Sequence, residues 1–440
     1  MKKVLIITYY FPPSGGPGVQ RVLKFVKYLP QFGWEPIVLT VQDGDYPARD
    51  ESLLKEIPPS LKVFRTSIFE PYNLYRRITG KKPGTAVDVN NIPKKGGQKK
   101  FSEAVAEFVR ATFFIPDARA GWLLTAVGKA KNIIKEEKID AVYSSSPPYT
   151  CAVIGRNVHR ATGIPWVAGF RDPWTGFLST PDRWCIPKMI DQHLERSCFK
   201  EATRVEVAWR GILLDLHKKY PEIPIDKAAH LPNGFDGADF PSTPYRRNEK
   251  FTVTYTGSMY GVRNPRTFLQ AFANLVAAKK IDPAKLRLKF IGRFGAEVLE
   301  MFRSPAVTGC VEVLPYIPHA ESIEHLMTSD ALLLIVDEYA GGEEIVPGKV
   351  FEYIGARRPI IGIAHEGAVS ELLRTTGAGR SARNDDVPAI ERVILEYYDD
   401  YLYNKSGFSP DLTAIGQYER KEITGRLARL LDDSLGRPAA

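Results

Sequence analysis

The stretch GGEEIVPGKVFEYIG, residues 341–355, combines glycines, glutamates and a lysine around the start of a predicted helix. A proline that suits the first helical position precedes Gly348, and Lys349 follows in the first turn. The helix dipole disfavours a cation there unless a bound anion offsets it. Lys349 and Glu352 share one helix face, and Glu344 precedes the helix. The pattern predicts a phosphate beside Lys349 and polyol hydroxyls at the glutamates. The alternative is a surface helix with an ordinary salt bridge.

Two other glycine-containing turns follow predicted strands in the same half of the chain. YTGSMYGVR supplies Gly257, Ser258 and Arg263, and FIGRFG supplies Arg293. Glycine lets a ligand approach the backbone closely, and an arginine fork matches the oxygens of a phosphate. These turns predict a phosphate pocket at the ends of two strands. The alternative is that both arginines are solvated.

The loop PPSGGPGVQR, residues 12–21, follows the first predicted strand and opens the first predicted helix. Gly15 and Gly16 allow close backbone approach, and the helix N-terminus beyond them favours an anion. Pro17 interrupts the GxGxxG pattern of dinucleotide-binding proteins, and no acidic residue ends the second strand. We therefore expect an acceptor or phosphate loop here, with a tight turn that binds nothing as the alternative.

The sequence contains no pattern for a metal or a redox cofactor. Its 4 cysteines form no CxxC pair, and its 7 histidines show no HExxH or other metal-ligand spacing. Asp43 and Asp45 flank a glycine in a nominal DxD metal motif, but the stretch is turn-forming and is interpreted as a turn. We expect reduced thiols, no metal, no cofactor and a cytoplasmic location.

Strand and helix patterns alternate twice along the 440 residues, as in two doubly wound α/β domains. The stretch 233–250 is rich in Gly, Pro, Asn and charge, which predicts a linker between the domains. We expect one Rossmann-like domain over residues 1–240, a second over 250–400, and a helical segment over 401–440. Two such domains would face each other across a cleft.

The formal charge of +9 and the isoelectric point near 9.1 suit an anionic partner. Much of the excess lies in residues 76–100, where eight Lys and Arg residues accompany one acid, Asp88. Two interpretations of this insertion stay open: a solvated segment, or contact with anionic lipid headgroups. A nucleic-acid partner is not expected, because no RRM, KH or helix-turn-helix pattern is present. The residues that would support lipid contact are Phe101, Phe108, Phe113, Phe114 and Ile115.

Taken together, the motifs resemble glycosyltransferase family 4, retaining enzymes of GT-B architecture that use nucleotide-sugars. The family's paired glutamates, separated by seven residues, are matched by Glu344 and Glu352, and its first glycine-rich loop by Gly15 and Gly16. LPNGFD, residues 231–236, is similar to the family's Pro-Asn-Gly-x-Asp segment. The resemblance covers almost the whole chain. It implies that residues 1–240 form a Rossmann-like acceptor domain with a basic insertion near 76–100 and that residues 250–400 form a Rossmann-like nucleotide-sugar domain, the two facing each other across a cleft. It also implies that the helical segment over 401–440 crosses back and packs on the first domain.

The resemblance also implies roles for individual residues. Glu352 would bind ribose hydroxyls, Glu344 the donor sugar, and Lys349 the diphosphate. Arg263 best matches the arginine of the family's arginine and lysine pair, and Asp172 follows Arg171 where members often carry a histidine. The residues expected to be catalytic are Asp172, Glu344 and Lys349. Those expected to bind the donor are Gly257, Ser258, Arg263, Arg293, Tyr316, Ile317, His319, Gly348 and Glu352, with the base received by Tyr316, Ile317 and His319.

The implied function is sugar transfer of the hexosyltransferase type from a UDP-sugar or GDP-sugar, without a metal. The acceptor would be a glycan or a polyprenyl-linked sugar in polysaccharide or lipopolysaccharide synthesis. The expected place is the cytoplasm, with peripheral attachment to the inner face of the plasma membrane. The alternatives are a sugar-nucleotide epimerase, another GT-B enzyme, or a nucleotide-sugar-binding subunit without activity.

Overall fold

The structure is a computed structural model and describes residues 1–46, 48–69, 101–177, 180–241, 245–261, 263–305, 307, 309–336, 343–405 and 407–436, with backbone alone for 17 and 101–106. The predicted basic insertion at 76–100 lies outside the described residues. The chain divides into two compact units. The first comprises Met1–Pro232 and Ile423–Ala440, and the second comprises Asn233–Glu422.

The described residues of the first unit form a sheet of seven parallel strands. The strands are β1 (Lys2–Thr8), β2 (Trp34–Val41), β3 (Lys62–Thr66), β4 (Ala141–Ser146), β5 (Trp166–Phe170), β6 (Arg204–Val207) and β7 (Ala228–His230). Their order across the sheet is β3-β2-β1-β4-β5-β6-β7. The direction of winding reverses between β1 and β4, the point at which ligands of such sheets bind.

The described residues of the second unit form a sheet of six parallel strands. The strands are β8 (Phe251–Thr256), β9 (Leu286–Ile291), β10 (Val311–Leu314), β11 (Ala331–Ile335), β12 (Ile360–Ile363) and β13 (Gly379–Ala382). Their order is β10-β9-β8-β11-β12-β13, so the winding reverses between β8 and β11.

Helices follow the strands in both units. Those of the first unit are α1 (Pro17–Tyr28), α2 (Phe101–Phe113), α3 (Leu123–Glu137), α4 (Thr150–Thr162), α5 (Cys185–Glu201) and α6 (Arg210–Lys219). Those of the second are α7 (Arg266–Ala277), α8 (Ala296–Phe302), α9 (His319–Met327), α10 (Lys349–Gly355), α11 (Ala368–Thr376), α12 (Val387–Leu402) and α13 (Leu412–Gly416). The last helix is α14 (Arg420–Ser434). No helix of the described ranges is long and apolar enough to cross a membrane.

Apolar side chains cover both faces of the first sheet. Strand β1 is buried from Val4 to Thr8, as expected for a parallel strand between two layers of helices. One face packs against α3 and α4. The other packs against α1 and against Ile423, Leu427 and Leu431 of α14. The final helix of the chain therefore belongs to the core of the first unit.

A buried ion pair lies inside the first unit and joins α1 to β6. The guanidinium of Arg21 donates to the carboxylate of Glu206, and both side chains are 0% exposed. Arg21 also donates to the carbonyl oxygen of Pro232 at 2.9 Å, and Tyr143 donates its hydroxyl to Glu206 at 2.8 Å. Gly169 leaves the space for this network, since a Cβ there would lie 2.4 Å from the Tyr143 hydroxyl. The network holds the end of β7 to the rest of the unit.

The segment predicted as a linker is held in place where it enters the second unit. The amide of Phe235 donates to the carbonyl oxygen of Tyr418 at 3.1 Å, and the amide of Arg420 donates to that of Phe235 at 2.7 Å. Phe235 is buried and packs against Gly355 at the end of α10. Asp236 accepts a hydrogen bond from Ala238 N at 3.1 Å and so caps the short turn that follows. The two chain segments that lead out of the second unit thus lie side by side.

The structure confirms the predicted fold class, which is α/β with two Rossmann-like, doubly wound sheets. Strands β9, β10 and β12 have the predicted bounds. Strand β3 was not predicted, because Lys62 and Arg65 interrupt a run of only five residues at the sheet edge. Helices α2 and α3 were not predicted either, since the basic stretch before them masked the return of a helical pattern.

Candidate functional site

The predicted donor-site residues lie at one edge of the second sheet. All six strands run parallel, so the loops that follow them meet at the carboxyl edge. Gly257 and Ser258 follow β8, Arg293 follows β9, and Tyr316 and Ile317 follow β10. Glu344 comes after β11, and Gly348, Lys349 and Glu352 lie on or beside α10. The tertiary structure thus brings together residues drawn from four strand ends.

Lys349 is the first residue of α10 and lies against the end of β8. Its Nζ donates to the hydroxyl of Tyr255 at 2.7 Å and lies 4.2 Å from the centroid of that ring. A Cβ added at Gly257 would lie 3.4 Å from the same Nζ. The ammonium group is therefore held beside the glycine turn by a buried tyrosine.

The start of α10 differs by two residues from the predicted one. Val350 N donates to the carbonyl oxygen of Pro347 at 3.1 Å, and Phe351 N to that of Gly348 at 3.2 Å. Gly348 is the N-cap, and Pro347 precedes the helix and does not open it. Since these amides have backbone acceptors, an anion at this place would depend chiefly on the Lys349 side chain.

Two glycines pack the turns after β8 and β9 against each other. Gly257 has a φ of 118°, and Gly292 has a φ of 143°, conformations that side chains rarely adopt. A Cβ at Gly292 would lie 2.0 Å from the carbonyl oxygen of Gly257. Ser258 accepts a hydrogen bond at its carbonyl oxygen from the Tyr255 hydroxyl at 3.1 Å. The backbone is thereby left open beside the Lys349 ammonium group.

Two further pairs lie along the same edge. His319 Nε2 is 3.2 Å from Glu352 Oε1, and both side chains remain partly exposed. The guanidinium of Arg293 lies 5.2 Å from the centroid of the Tyr316 ring. The first pair fixes a carboxylate next to an imidazole, and the second places a cation over an exposed aromatic face. These are groups that can bind hydroxyls, a planar ring and phosphate oxygens.

Three other predicted site residues, Glu344, Arg263 and Ile317, are half-buried. Glu344 forms no hydrogen bond or ion pair with another described residue. Its neighbour Glu343 accepts a hydrogen bond from Ala368 N at 2.7 Å, which ties this loop to the start of α11. Arg263 N donates to the carbonyl oxygen of Tyr260 at 3.2 Å.

Sequence reasoning missed two tyrosines that organise this edge. Tyr255 holds Lys349, and the hydroxyl of Tyr353 accepts a hydrogen bond from Thr256 N at 2.8 Å. Burial raises the pKa of Tyr353 to about 12, so its hydroxyl stays protonated. Both tyrosines are buried. In the sequence each adds only one hydroxyl to an apolar run, and this pattern does not distinguish it from an ordinary core residue. Tyr353 follows Glu352 directly, and its side chain is fully buried in the core.

The first unit has a corresponding group at the carboxyl edge of its own sheet. Gly16 caps α1 with a φ of 99°, and Gly15 N donates to the carbonyl oxygen of Ala48 at 2.9 Å. Arg171, after β5, donates to Ser145 Oγ at 2.5 Å. A Cβ at Gly18 would lie 3.1 Å from Arg171 Nη2. Arg171 therefore packs against the first turn of α1, beside the predicted glycine loop.

Asp172 follows Arg171 and has an altered acidity. Burial raises the pKa of its carboxyl, and the charge of Arg171 opposes the rise. The folded protein thus binds this proton more tightly than the unfolded chain does. The stability that protonation contributes is present at low pH and is lost as pH rises through the folded pKa. Above the folded pKa, the buried and ionised carboxylate therefore costs stability.

Replacing Asp172 with asparagine is expected to stabilise the protein at pH 7 by about 0.5 to 2 kcal/mol. The gain should shrink as the pH is lowered towards about 4, because the raised pKa favours protonation of this carboxyl in the folded parent protein. Thermal melts of the two proteins at both pH values measure the difference. The matched control is Asp182→Asn, at an exposed aspartate of the same unit. A gain that is equal at both pH values, or a loss at pH 7, contradicts the prediction.

The stretch with Asp43 and Asp45 follows β2, as the turn interpretation requires. A Cβ at Gly44 would lie 2.7 Å from the ring of Tyr46, so the turn is tightly packed. The carbonyl oxygen of Asp45 accepts a hydrogen bond from Arg119 at 3.3 Å. Within the described part of the chain, no group of three or more His, Cys, Asp and Glu side chains could hold a metal ion.

Comparison with known proteins finds similarity in structure alone, since no protein-family model and no curated protein matches the sequence. The chain is similar to a glycosyltransferase from Rickettsia africae ESF-5, with 13% identity and a TM-score of 0.63 over 99% of each chain. It is similar to HepE from Anabaena in complex with UDP, with 13% identity and a TM-score of 0.61 over 98% of this chain and 100% of that one. The lipopolysaccharide outer core galactosyltransferase WaaB matches with 11% identity and a TM-score of 0.57, over 98% of this chain and 99% of that one.

At such low identity, the similarity demonstrates a shared fold. It extends over nearly the whole length of every chain compared, including both Rossmann-like sheets. The fold is GT-B, as the resemblance to glycosyltransferase family 4 implied.

Proposed function

We propose that this protein is a retaining glycosyltransferase that moves a sugar from a UDP-sugar or GDP-sugar to a glycan or lipid-linked acceptor. The observation that carries the proposal is the group at the carboxyl edge of the second sheet. There Lys349 lies beside the open backbone of Gly257, and Glu352 pairs with His319. The GT-B fold, shared with a protein that binds UDP, supports the same assignment.

The proposed donor site assigns each group to one part of the nucleotide-sugar. Lys349 neutralises the diphosphate, because its ammonium group lies where glycine lets phosphate oxygens approach. Arg293 assists from the end of β9, and Arg263 stays a candidate for the same task. Glu352 binds the ribose hydroxyls, and the hydrogen bond with His319 orients its carboxylate.

The remaining predicted residues complete this assignment. Tyr316 and Ile317 receive the base with His319, and Tyr316 offers an exposed ring for stacking. Glu344 is assigned to the donor sugar, since its carboxylate has no partner among the described residues. In the first unit, Asp172 is assigned to the reacting sugar and Gly15 and Gly16 to an acceptor or phosphate.

The proposed reaction breaks the bond between the anomeric carbon and the diphosphate oxygen. The electron pair of that bond stays on the diphosphate, and the anomeric carbon becomes oxocarbenium-like. The acceptor hydroxyl then forms the new bond on the same face of the sugar and loses its proton to a diphosphate oxygen. Negative charge grows on the leaving group, so a fixed cation such as Lys349 stabilises the transition state more than the ground state. We propose that this cation replaces a divalent metal.

The biological setting is proposed from the fold and from the charge. WaaB, with the same fold, is a lipopolysaccharide galactosyltransferase. The net charge of +9 suits an anionic partner. We propose polysaccharide or lipopolysaccharide synthesis in the cytoplasm, on the inner face of the plasma membrane, with a polyprenyl-linked acceptor as one possibility to test.

Donor binding is tested by thermal shift against UDP-glucose, UDP-galactose, UDP-N-acetylglucosamine and GDP-mannose. A ligand at 100 times its Kd stabilises the folded state by about 2.7 kcal/mol, which raises the Tm by several degrees. The shift is expected to disappear in Glu352→Ala. It should persist in Glu312→Ala, which removes an exposed glutamate paired with Arg287 on the same unit. If no UDP-sugar and no GDP-sugar raises the Tm of the parent protein, the donor assignment fails.

Turnover separates the remaining alternatives. Release of UDP or GDP with a polyprenyl-linked acceptor, unaffected by a chelator, supports metal-free transfer. Conversion of the donor sugar without release of the nucleotide points to an epimerase. Donor binding without either reaction points to a nucleotide-sugar-binding subunit. Inversion at the anomeric carbon of the product identifies another GT-B enzyme.

A further inference from the structure

The loop that follows β5 carries Asp172, and side chains of other elements hold its backbone. We call residues 171–177 the Asp172 loop. The indole Nε1 of Trp209, which directly precedes α6, donates to the carbonyl oxygen of Arg171 at 3.0 Å. The hydroxyl of Tyr149, which directly precedes α4, donates to the carbonyl oxygen of Pro173. The backbone is therefore held on both sides of Asp172.

A second group of bonds joins this loop to Glu195, a carboxylate of α5 that is 1% exposed. Glu195 Oε1 accepts a hydrogen bond from Thr175 N at 3.0 Å, and Oε2 accepts one from the Thr175 hydroxyl. Tyr220 donates its hydroxyl to Oε2 at 2.8 Å. Lys219 Nζ lies 3.5 Å from Oε1 and donates to the carbonyl oxygen of Thr175. Every backbone polar group of Thr175 is thus bonded to the Glu195 network.

Asp191 holds the neighbouring loop residue, Trp174, from the same helix. Its Oδ1 accepts a hydrogen bond from Trp174 Nε1 at 2.9 Å, and its Oδ2 accepts one from Arg183 Nε at 2.8 Å. The ring of Trp174 stacks on that of Tyr149, with centroids 4.7 Å apart and planes 12° apart. Because residues four positions apart share a helix face, α5 presents Asp191 and Glu195 to the loop together.

These bonds determine where the loop lies, because hydrogen bonds are directional and form only within a narrow range of distances. A buried carboxylate that loses its donors costs free energy, so the loop is favoured in the position that supplies them. Trp174 and Thr175 lie two and three residues after Asp172. A displacement of either residue is therefore passed to Asp172 over a short length of chain.

We propose that Glu195 and Asp191 are positioning residues for Asp172. Both are 1% exposed, so neither contacts a substrate, and they act through the loop that they hold. The inference rests on the proposed function, in which Asp172 faces the reacting sugar. Misplacing a reacting group by about 1 Å can slow an enzyme about 100-fold, so a loop that carries such a group needs a fixed position.

The test removes the bonds between Glu195 and Thr175 from either side, in the full chain. Glu195→Ala is expected to lower kcat for sugar transfer about 100-fold, and Thr175→Val, which loses only the hydroxyl, about 10-fold. The KM for the donor should change less than about threefold, because the groups proposed to bind the nucleotide belong to the second unit. Glu195→Gln should recover part of the lost kcat, since its amide oxygen can accept from Thr175 N.

The matched control is Glu201→Gln, on the same helix. Its carboxylate pairs with Arg160 at 2.6 Å, outside the loop, so kcat should stay unchanged. Amide hydrogen exchange of a peptide that covers residues 171–177 gives a second measurement that does not depend on turnover. Exchange should become at least about 10-fold faster in Thr175→Val and stay unchanged in Glu201→Gln. Thr175→Val keeps the buried carboxylate, so it tests the proposal even if Glu195→Ala does not fold.

Unchanged exchange in Thr175→Val overturns the proposal, and so does faster exchange with a kcat equal to that of the parent protein. A raised KM for the donor at unchanged kcat also contradicts it, because that result assigns the two carboxylates to donor binding. If the parent protein transfers no sugar, the proposed function fails. Hydrogen exchange then still decides whether Glu195 holds the Asp172 loop.

Discussion

Replacing Lys349 with alanine is expected to lower kcat/KM for sugar transfer by about 100- to 1,000-fold, the usual effect of removing one preorganised charge-stabilising group. The ammonium group lies between Tyr255 and the open backbone of Gly257. It is thus positioned at the proposed diphosphate, on which charge grows in the transition state. Steady-state kinetics with the donor identified by thermal shift measure the loss.

The matched control for this variant is Lys285→Ala, at an exposed lysine of the same unit. It should leave kcat/KM unchanged, and both variants should melt close to the parent protein. Lys349→Arg is expected to recover part of the activity. It restores the positive charge, but its planar guanidinium does not take the same position as the compact ammonium group. Unchanged kinetics in Lys349→Ala would mean that the stretch at 341–355 is only a surface helix and its preceding loop.

Replacing Glu206 with alanine is expected to destabilise the first unit by about 3 to 5 kcal/mol. The variant leaves the guanidinium of Arg21 as an uncompensated charge in a fully buried site, and it removes the acceptor of the Tyr143 hydroxyl. All 6 tryptophans of the chain lie between residues 34 and 209, within the first unit. Tryptophan fluorescence during urea unfolding therefore reports on this unit, even if the second unfolds separately.

The control for the buried pair is an exposed pair of the same unit. Arg196 Nε and Glu222 Oε1 lie 2.7 Å apart with side chains 53% and 46% exposed, so Glu222→Ala should lower the free energy of unfolding far less than Glu206→Ala does. Gly169→Ala perturbs the same network without removing a charged group, because its Cβ would collide with the Tyr143 hydroxyl. If Glu206→Ala and Glu222→Ala lower the free energy of unfolding equally, the buried network does not stabilise the unit.

The fold class could be predicted because each element carries its own local pattern. Strand β1 carries a continuous apolar run from Val4 to Ile7, strand β9 alternates apolar residues with Arg287 and Lys289, and the helices repeat apolar residues every three or four positions. Strand β3 and helix α2 could not be found in this way. The first is a short, charged strand at the sheet edge, and the second follows an insertion without periodicity.

The candidate site was predicted residue by residue, and the structure supplied the connections. Glycines and cations after strand ends indicated Gly257 and Lys349, because parallel strands place their carboxyl ends at one edge. No pattern indicated that Tyr255 would hold Lys349, 94 positions away in the sequence. A buried tyrosine within a strand is indistinguishable from an ordinary core residue until the helix that it touches is in place.

The sequence by itself determined the two α/β sheets, their carboxyl-edge loops and the basic character of the chain. These properties follow from composition and short-range periodicity, which every segment carries alone. The tertiary structure decided which side chains meet: Arg21 with Glu206, 185 positions apart, and Thr112 with Trp184, 72 positions apart. Such contacts depend on the order of strands in the sheet and on what becomes buried between layers. Neither property is encoded in the pattern of a single segment.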